Sequence, residues 1–86
     1  MRIVIADKMF TKTKTISLYD GASLKEQFLT ADEDEFKNIV FNLVDTFKCK
    51  DIIILGHKIF SKKLENEIRE IELSKYGENK MRIEIM

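Results

Sequence analysis

Proline and tryptophan are missing from the chain, and glycine occurs only three times. Without proline there is no rigid linker, and with so little glycine there is no flexible low-complexity tether, so nothing in the composition marks a domain boundary. Cysteine is reduced to Cys49, which excludes an internal disulfide, lies near the polar end of an expected helix with no second Cys or His pattern beside it, and favours a reducing compartment. No apolar run approaches the ~20 residues that span a bilayer. The opening stretch from Met1 to Asp7 is apolar over too few residues for a secretory signal, so a cytoplasmic protein without membrane contacts is expected. An excess of charge of either sign is missing too. Fifteen basic residues offset fifteen acidic ones, so no global field draws the protein to nucleic acid or an anionic membrane, and any electrostatic recognition has to be local.

What is present is the composition of an ordinary folded chain, 44% apolar and 35% charged, too rich in Ile, Leu, Val and Phe for disorder. Its 86 residues hold one core, so a single mixed α/β domain over 1–86 is expected. Ile3 to Ala6 and Ile52 to Leu55 are short uninterrupted apolar runs, which read as central strands apolar on both faces. Thr15 to Tyr19 alternates polar and apolar and reaches Asp20-Gly21, a two-residue hairpin signal, after which Ser23 to Leu29 alternates less cleanly and reads as a third strand or a short helix. Thr30 and Glu33 have capping-box spacing. Behind them Phe36, Ile39, Val40, Leu43, Val44 and Phe47 share one face of a first helix. A second helix is expected from Ser61 as N-cap through Leu64, Ile68 and Ile71 to Tyr76, with Gly77 as its left-handed end and its charges on a solvated face. Met81, Ile83 and Ile85 then alternate with Arg82 and Glu84 in a final edge strand.

The order β-β-β-α-β-α-β resembles the core of the ribonuclease-H-like and actin-like superfold, a topological likeness covering nearly the whole chain. It implies a mixed sheet in the order 3-2-1-4-5. A ferredoxin-like or other mixed sheet is the alternative. Two right-handed crossovers running the same way across that sheet put both helices on one face. The other face is then expected to lack cover, because the resembling folds commonly add a helix there and none follows in this sequence. Apolar strips of this kind mark interfaces, so Ile3, Ile5, Tyr19, Ile54 and Leu55 are the candidate interface residues, with the outward choice between Ile54 and Leu55 left open by register. If the third strand is instead a helix, one helix covers each face.

Two further sets fall at the sheet's carboxyl edge, where open α/β sheets bind ligands. Acidic residues on the first strand, first helix and fourth strand hold divalent metals in the ribonuclease-H-like nucleases. Asp7, Asp34 or Glu35, and His57 are the matching positions, although His57 stands where a carboxylate is usual and Mg²⁺ prefers oxygen ligands. Lys8, Lys12 and Lys14, preceded or threaded by Phe10 and Thr11, together with Lys58, Lys62 and Lys63 are candidates to hold phosphate, a nucleic-acid backbone or an acidic protein surface. The bland readings are that the acids cap a helix and the lysines solubilise a hairpin tip.

The leading expectation is therefore a non-catalytic protein-interaction module without cofactor, self-associating as a homodimer or docking on a larger protein through its uncovered sheet face. A metal-dependent nuclease or phosphodiesterase using Asp7, Glu35 and His57, and a small salt-sensitive nucleic-acid binder, are the alternatives. The abundance of Lys, Ile, Glu and Asn suits an AT-rich bacterial or phage genome, hence a compact phage or mobile-element protein acting on a host factor.

Overall fold

The computed structural model describes residues 1–7 and 12–86. In chain order they form β1 (Arg2–Asp7), β2 (Lys14–Asp20), β3 (Ser23–Thr30), α1 (Glu33–Phe47), β4 (Asp51–Leu55), α2 (Lys58–Tyr76) and β5 (Arg82–Ile85). The strands make one sheet in the order β3-β2-β1-β4-β5. β1 pairs antiparallel with β2 and parallel with β4, so the two apolar runs lie side by side at the centre, as the topology implied.

Local chemistry sets the element ends, in places one to four residues from where the motifs suggested. The hairpin loop consists of Gly21 and Ala22, with Asp20 paired to Ser23 and Gly21 at φ 61°, where a side chain would be strained. β3 reads poorly in sequence because it carries a bulge: Leu18 pairs with Glu26 but Tyr19 pairs with Leu24, leaving Lys25 as the extra residue. A bulge reverses the inward and outward parity of the strand, so Leu24 and Leu29 face one side of the sheet while Phe28 faces the other. The cap of α1 is Asp32 rather than Thr30, its carboxylate accepting from the Glu35 amide at 2.8 Å, while the Thr30 hydroxyl accepts from the Asp32 amide at 3.2 Å. α2 starts three residues before the expected Ser61 cap. His57 caps it through Nδ1, which accepts from the Ile59 amide at 3.3 Å, and Ser61 lies buried inside the first turns. Gly77 ends α2 in the left-handed region, donating to the Leu73 carbonyl at 2.9 Å.

Both helices lie on the same sheet face. Ile3 and Ile5 of β1, Ile16 and Leu18 of β2, and Ile52 and Ile54 of β4 are shielded almost completely, in one core with Phe36, Val40, Phe41, Leu43 and Val44 of α1 and Leu64 and Ile68 of α2. Each such side chain removed from water contributes roughly 1.5–3 kcal/mol, so this one interior carries most of the stability. Phe41 joins it from outside the expected stripe, against Tyr76 of α2.

The approach to β5 is held by a polar device. Glu72 on α2 is buried, and its carboxylate accepts from the Lys80 and Met81 amides, both at 2.7 Å, while Arg69 Nη1 donates to the Met81 carbonyl at 2.9 Å. These charge-assisted bonds tie the segment before β5 to the helix above it, so this part of α2 is an anchor and not a solvated face.

Candidate functional site

Three surfaces meet the sequence expectations: the open sheet face, the carboxyl edge and the free side of β5. On the open face the pairing registers set side chains in rows. One row runs Tyr19, Arg2, Asp51, Arg82; the next Gln27, Ser17, Val4, Ile53, Glu84; the third Leu29, Thr15, Ala6, Leu55. The Gln27 side-chain nitrogen donates to the Ser17 hydroxyl at 3.0 Å, and Arg82 Nε stands 3.8 Å from Asp51 Oδ1. No described element covers these rows. The face is apolar at the centre of its second row, Val4 and Ile53, and over most of its third; Gln27, Ser17 and Glu84 flank the second row, and both charge signs stand at the amino end.

The structure corrects the register of the expected interface. Tyr19 and Leu55 lie on the open face, Leu55 being 40% exposed, but Ile3, Ile5 and Ile54 point the other way and are fully buried beneath the helices. Their places are taken by Val4, Ala6 and Ile53. Strands apolar on both sides have no alternation to betray their parity, and parity has to come from neighbours such as β2, whose Ile16 and Leu18 face inward.

At the carboxyl edge the candidate metal ligands go to separate tasks. Asp7 ends β1 in a cleft of about 220 Å³ between the helices, shared with Lys14, Glu33, Phe60, Lys63, Leu64 and Glu67. Asp34 and Glu35 lie in the exposed first turn of α1. His57 is the cap of α2 and meets Phe60 edge-on at 5.8 Å between ring centres. Among the described residues no three His, Cys, Asp or Glu side chains come together as a metal-holding group. Gly56 lets α2 start close against β1, since a side chain there would meet the Asp7 carbonyl at 3.1 Å.

The lysines divide likewise. Lys14 packs over the Phe36 ring at 5.4 Å, in the mixed-charge cleft beside Asp7. Lys12 is exposed ahead of β2, and Lys8, Phe10 and Thr11 lie outside the described residues. Lys58, Lys62 and Lys63 line a groove of about 770 Å³ with Gly56, Ile59, Asn66, Ile85 and Met86. Among the described residues only Lys62 of these three makes an ion pair, with Glu65 at 2.7 Å; Lys63 also borders the cleft that holds Asp7, Glu33 and Glu67, and no acidic side chain lines the groove itself.

The groove runs beside the outer edge of β5, the strand whose alternation already marked it as an edge. The Arg82 amide donates to the Lys50 carbonyl and the Met86 amide to that of Ile54, at 2.6 and 3.0 Å. Peptide groups alternate sides along a strand, so those of Ile83 and Ile85 point away from β4, toward solvent. Away from these surfaces, burial pushes the Cys49 thiol above its ordinary value, which leaves it a poor nucleophile. Among the described residues no helix is long and apolar enough to cross a membrane. No protein-family model, curated protein or solved structure matches the chain.

Proposed function

We propose that the protein is a non-catalytic interaction module that self-associates by packing the open sheet faces of two copies against each other. The observation that carries this is the self-complementarity of the rows. With a two-fold axis parallel to the strands and midway between β1 and β4, Arg2 faces Asp51 of a second copy, Val4 faces its Ile53 and Ala6 its Leu55. One strand further out, Tyr19 faces Arg82 and Ser17 faces Glu84. Opposite charges, a cation over a ring, a hydroxyl beside a carboxylate and apolar pairs all coincide under one operator, which is what an isologous interface demands. Aligned sheets cross at about 30° and pack about 10 Å apart, and such a rotation displaces the rows nearest its centre least.

Light scattering after size exclusion, over a range of concentrations, tests the proposal. The parent should approach twice 10.1 kDa. Ile53→Asp, on the open face, should stay folded by circular dichroism and run as one chain, whereas Ile54→Asp should fail to fold because its side chain is in the core. A parent that remains a single chain at every concentration would sink the idea.

A further inference from the structure

We infer that the free edge of β5 and the groove beside it form a second docking site, one that takes an extended protein segment carrying acidic and apolar residues. Three observations converge on that occupant. The first is the backbone. Ile83 and Ile85 offer their amides and carbonyls to solvent, and a strand edge left so is a template for one more strand. The opposite edge of the sheet, β3, is blunted by its bulge and by Lys25 and Glu26. The start of β5 is closed by Arg69 and Glu72, so the opening is confined to Ile83 and Ile85, alongside the groove.

The second observation is the lining. Ile59 is 72% exposed and Met86 71%, and with Ile85 they give the groove an apolar floor. A side chain of an added strand that turns toward α2 at this level meets that floor.

The third is charge. Lys58, Lys62 and Lys63 stand at the N-terminal end of a 19-residue helix whose first turn holds no acid. Cations there oppose the helix dipole, an arrangement that an acidic occupant offsets. A nucleic-acid backbone would satisfy the lysines but would leave the strand edge and the apolar floor unused, so the protein segment is favoured.

The test uses a fluorescein-labelled eight-residue peptide in which glutamate and valine take turns at every second position with threonine between them, so that acidic and apolar side chains share one face of the strand. It is read by fluorescence polarisation, with lysine in place of glutamate as control. The acidic peptide should bind and the basic one should not. Only one alternate set of the peptide's amides pairs with β5, so N-methylation of one set should abolish binding while N-methylation of the other leaves it intact. The double variant Lys58→Glu/Lys63→Glu, both sites being exposed, should stay folded and weaken binding about tenfold or more. In nuclear magnetic resonance spectra the Ile83 and Ile85 amides should shift on titration. Equal binding by both N-methylated peptides, together with binding of single-stranded DNA at the same lysines, would reduce the site to an anion patch and overturn the inference. Failure of the acidic peptide to bind would overturn it outright, and Ile83 and Ile85 shifts that follow protein concentration instead of peptide would assign the edge to a second copy.

Discussion

Glu72 shows how much of this fold hangs on one side chain that composition alone places on a wet helix face. Its carboxylate holds the Lys80 and Met81 amides, and Arg69 stands 3.6 Å away on the same helix. Replacing it with alanine leaves two inward-facing amides without an acceptor, and such losses cost about 2–3 kcal/mol. Urea denaturation of Glu72→Ala should show that loss, and hydrogen exchange should show faster exchange first at Met81 and the start of β5. An unchanged midpoint would mean that water replaces the carboxylate. Single residues were the least legible scale in the sequence. Glu72 follows Ile71 and precedes Leu73 in a charge-rich helix, and nothing local distinguishes it from Glu67 or Glu70. Its role arises from a loop eight residues away. Thr30 and Ser61 misled for a related reason, since each has the chemistry of a cap while Asp32 and His57 sit nearer the geometric start of their helices.

Elements were more legible, because periodicity and end signals are local. The stripe from Phe36 to Phe47, the Asp20-Gly21 signal, Gly77 and the alternation around Ile83 and Ile85 each lead to the element found. What local signals could not supply was parity in β1 and β4, which are apolar on both sides, and the phase change that the Lys25 bulge makes in β3. The two helices are tied together at their C-terminal ends, where Asp45 of α1 accepts from the Tyr76 hydroxyl and stands 2.9 Å from Lys75 Nζ of α2. Burial, then the bond to Asp45, pushes the Tyr76 hydroxyl up to about 12. The Tyr76 bond, followed by Lys75, holds the Asp45 carboxyl below its ordinary value. A raised tyrosine value favours the neutral hydroxyl in the folded chain, so its stabilisation is complete below the unfolded value near 10 and is lost as pH rises through about 12. The lowered Asp45 value works at the other end, contributing above the ordinary carboxyl range and fading as pH falls through its folded value. Thermal melts of the parent and Tyr76→Phe should therefore differ at neutral pH and converge in strong alkali. A constant difference across that range would show that the hydroxyl does not matter to the tie.

For the whole molecule, strand order and the one-sided placement of both helices followed from chain order and crossover handedness, and with them the existence of an open face. Which residues occupy that face did not follow, because it depends on pairing registers that only the assembled sheet provides. The five-strand count has a geometrical consequence. The proposed two-fold axis lies between β1 and β4, with three strands on one side and two on the other. Two such sheets laid face to face are staggered by one column, so each layer has six columns and five strands. The unfilled column in each layer lies beside β5. It is roofed on one side by α2 and on the other by the overhanging β3 of the second copy, whose Leu24 and Leu29, 50% and 68% exposed, point into it. An extended segment that pairs with β5 thereby completes a layer and gains a ceiling that one chain alone does not provide. Calorimetry should then give one acidic peptide per chain and two per dimer. Ile53→Asp, far from the groove, should weaken that binding by removing the roof, and undiminished affinity in this variant would show that the two surfaces act independently.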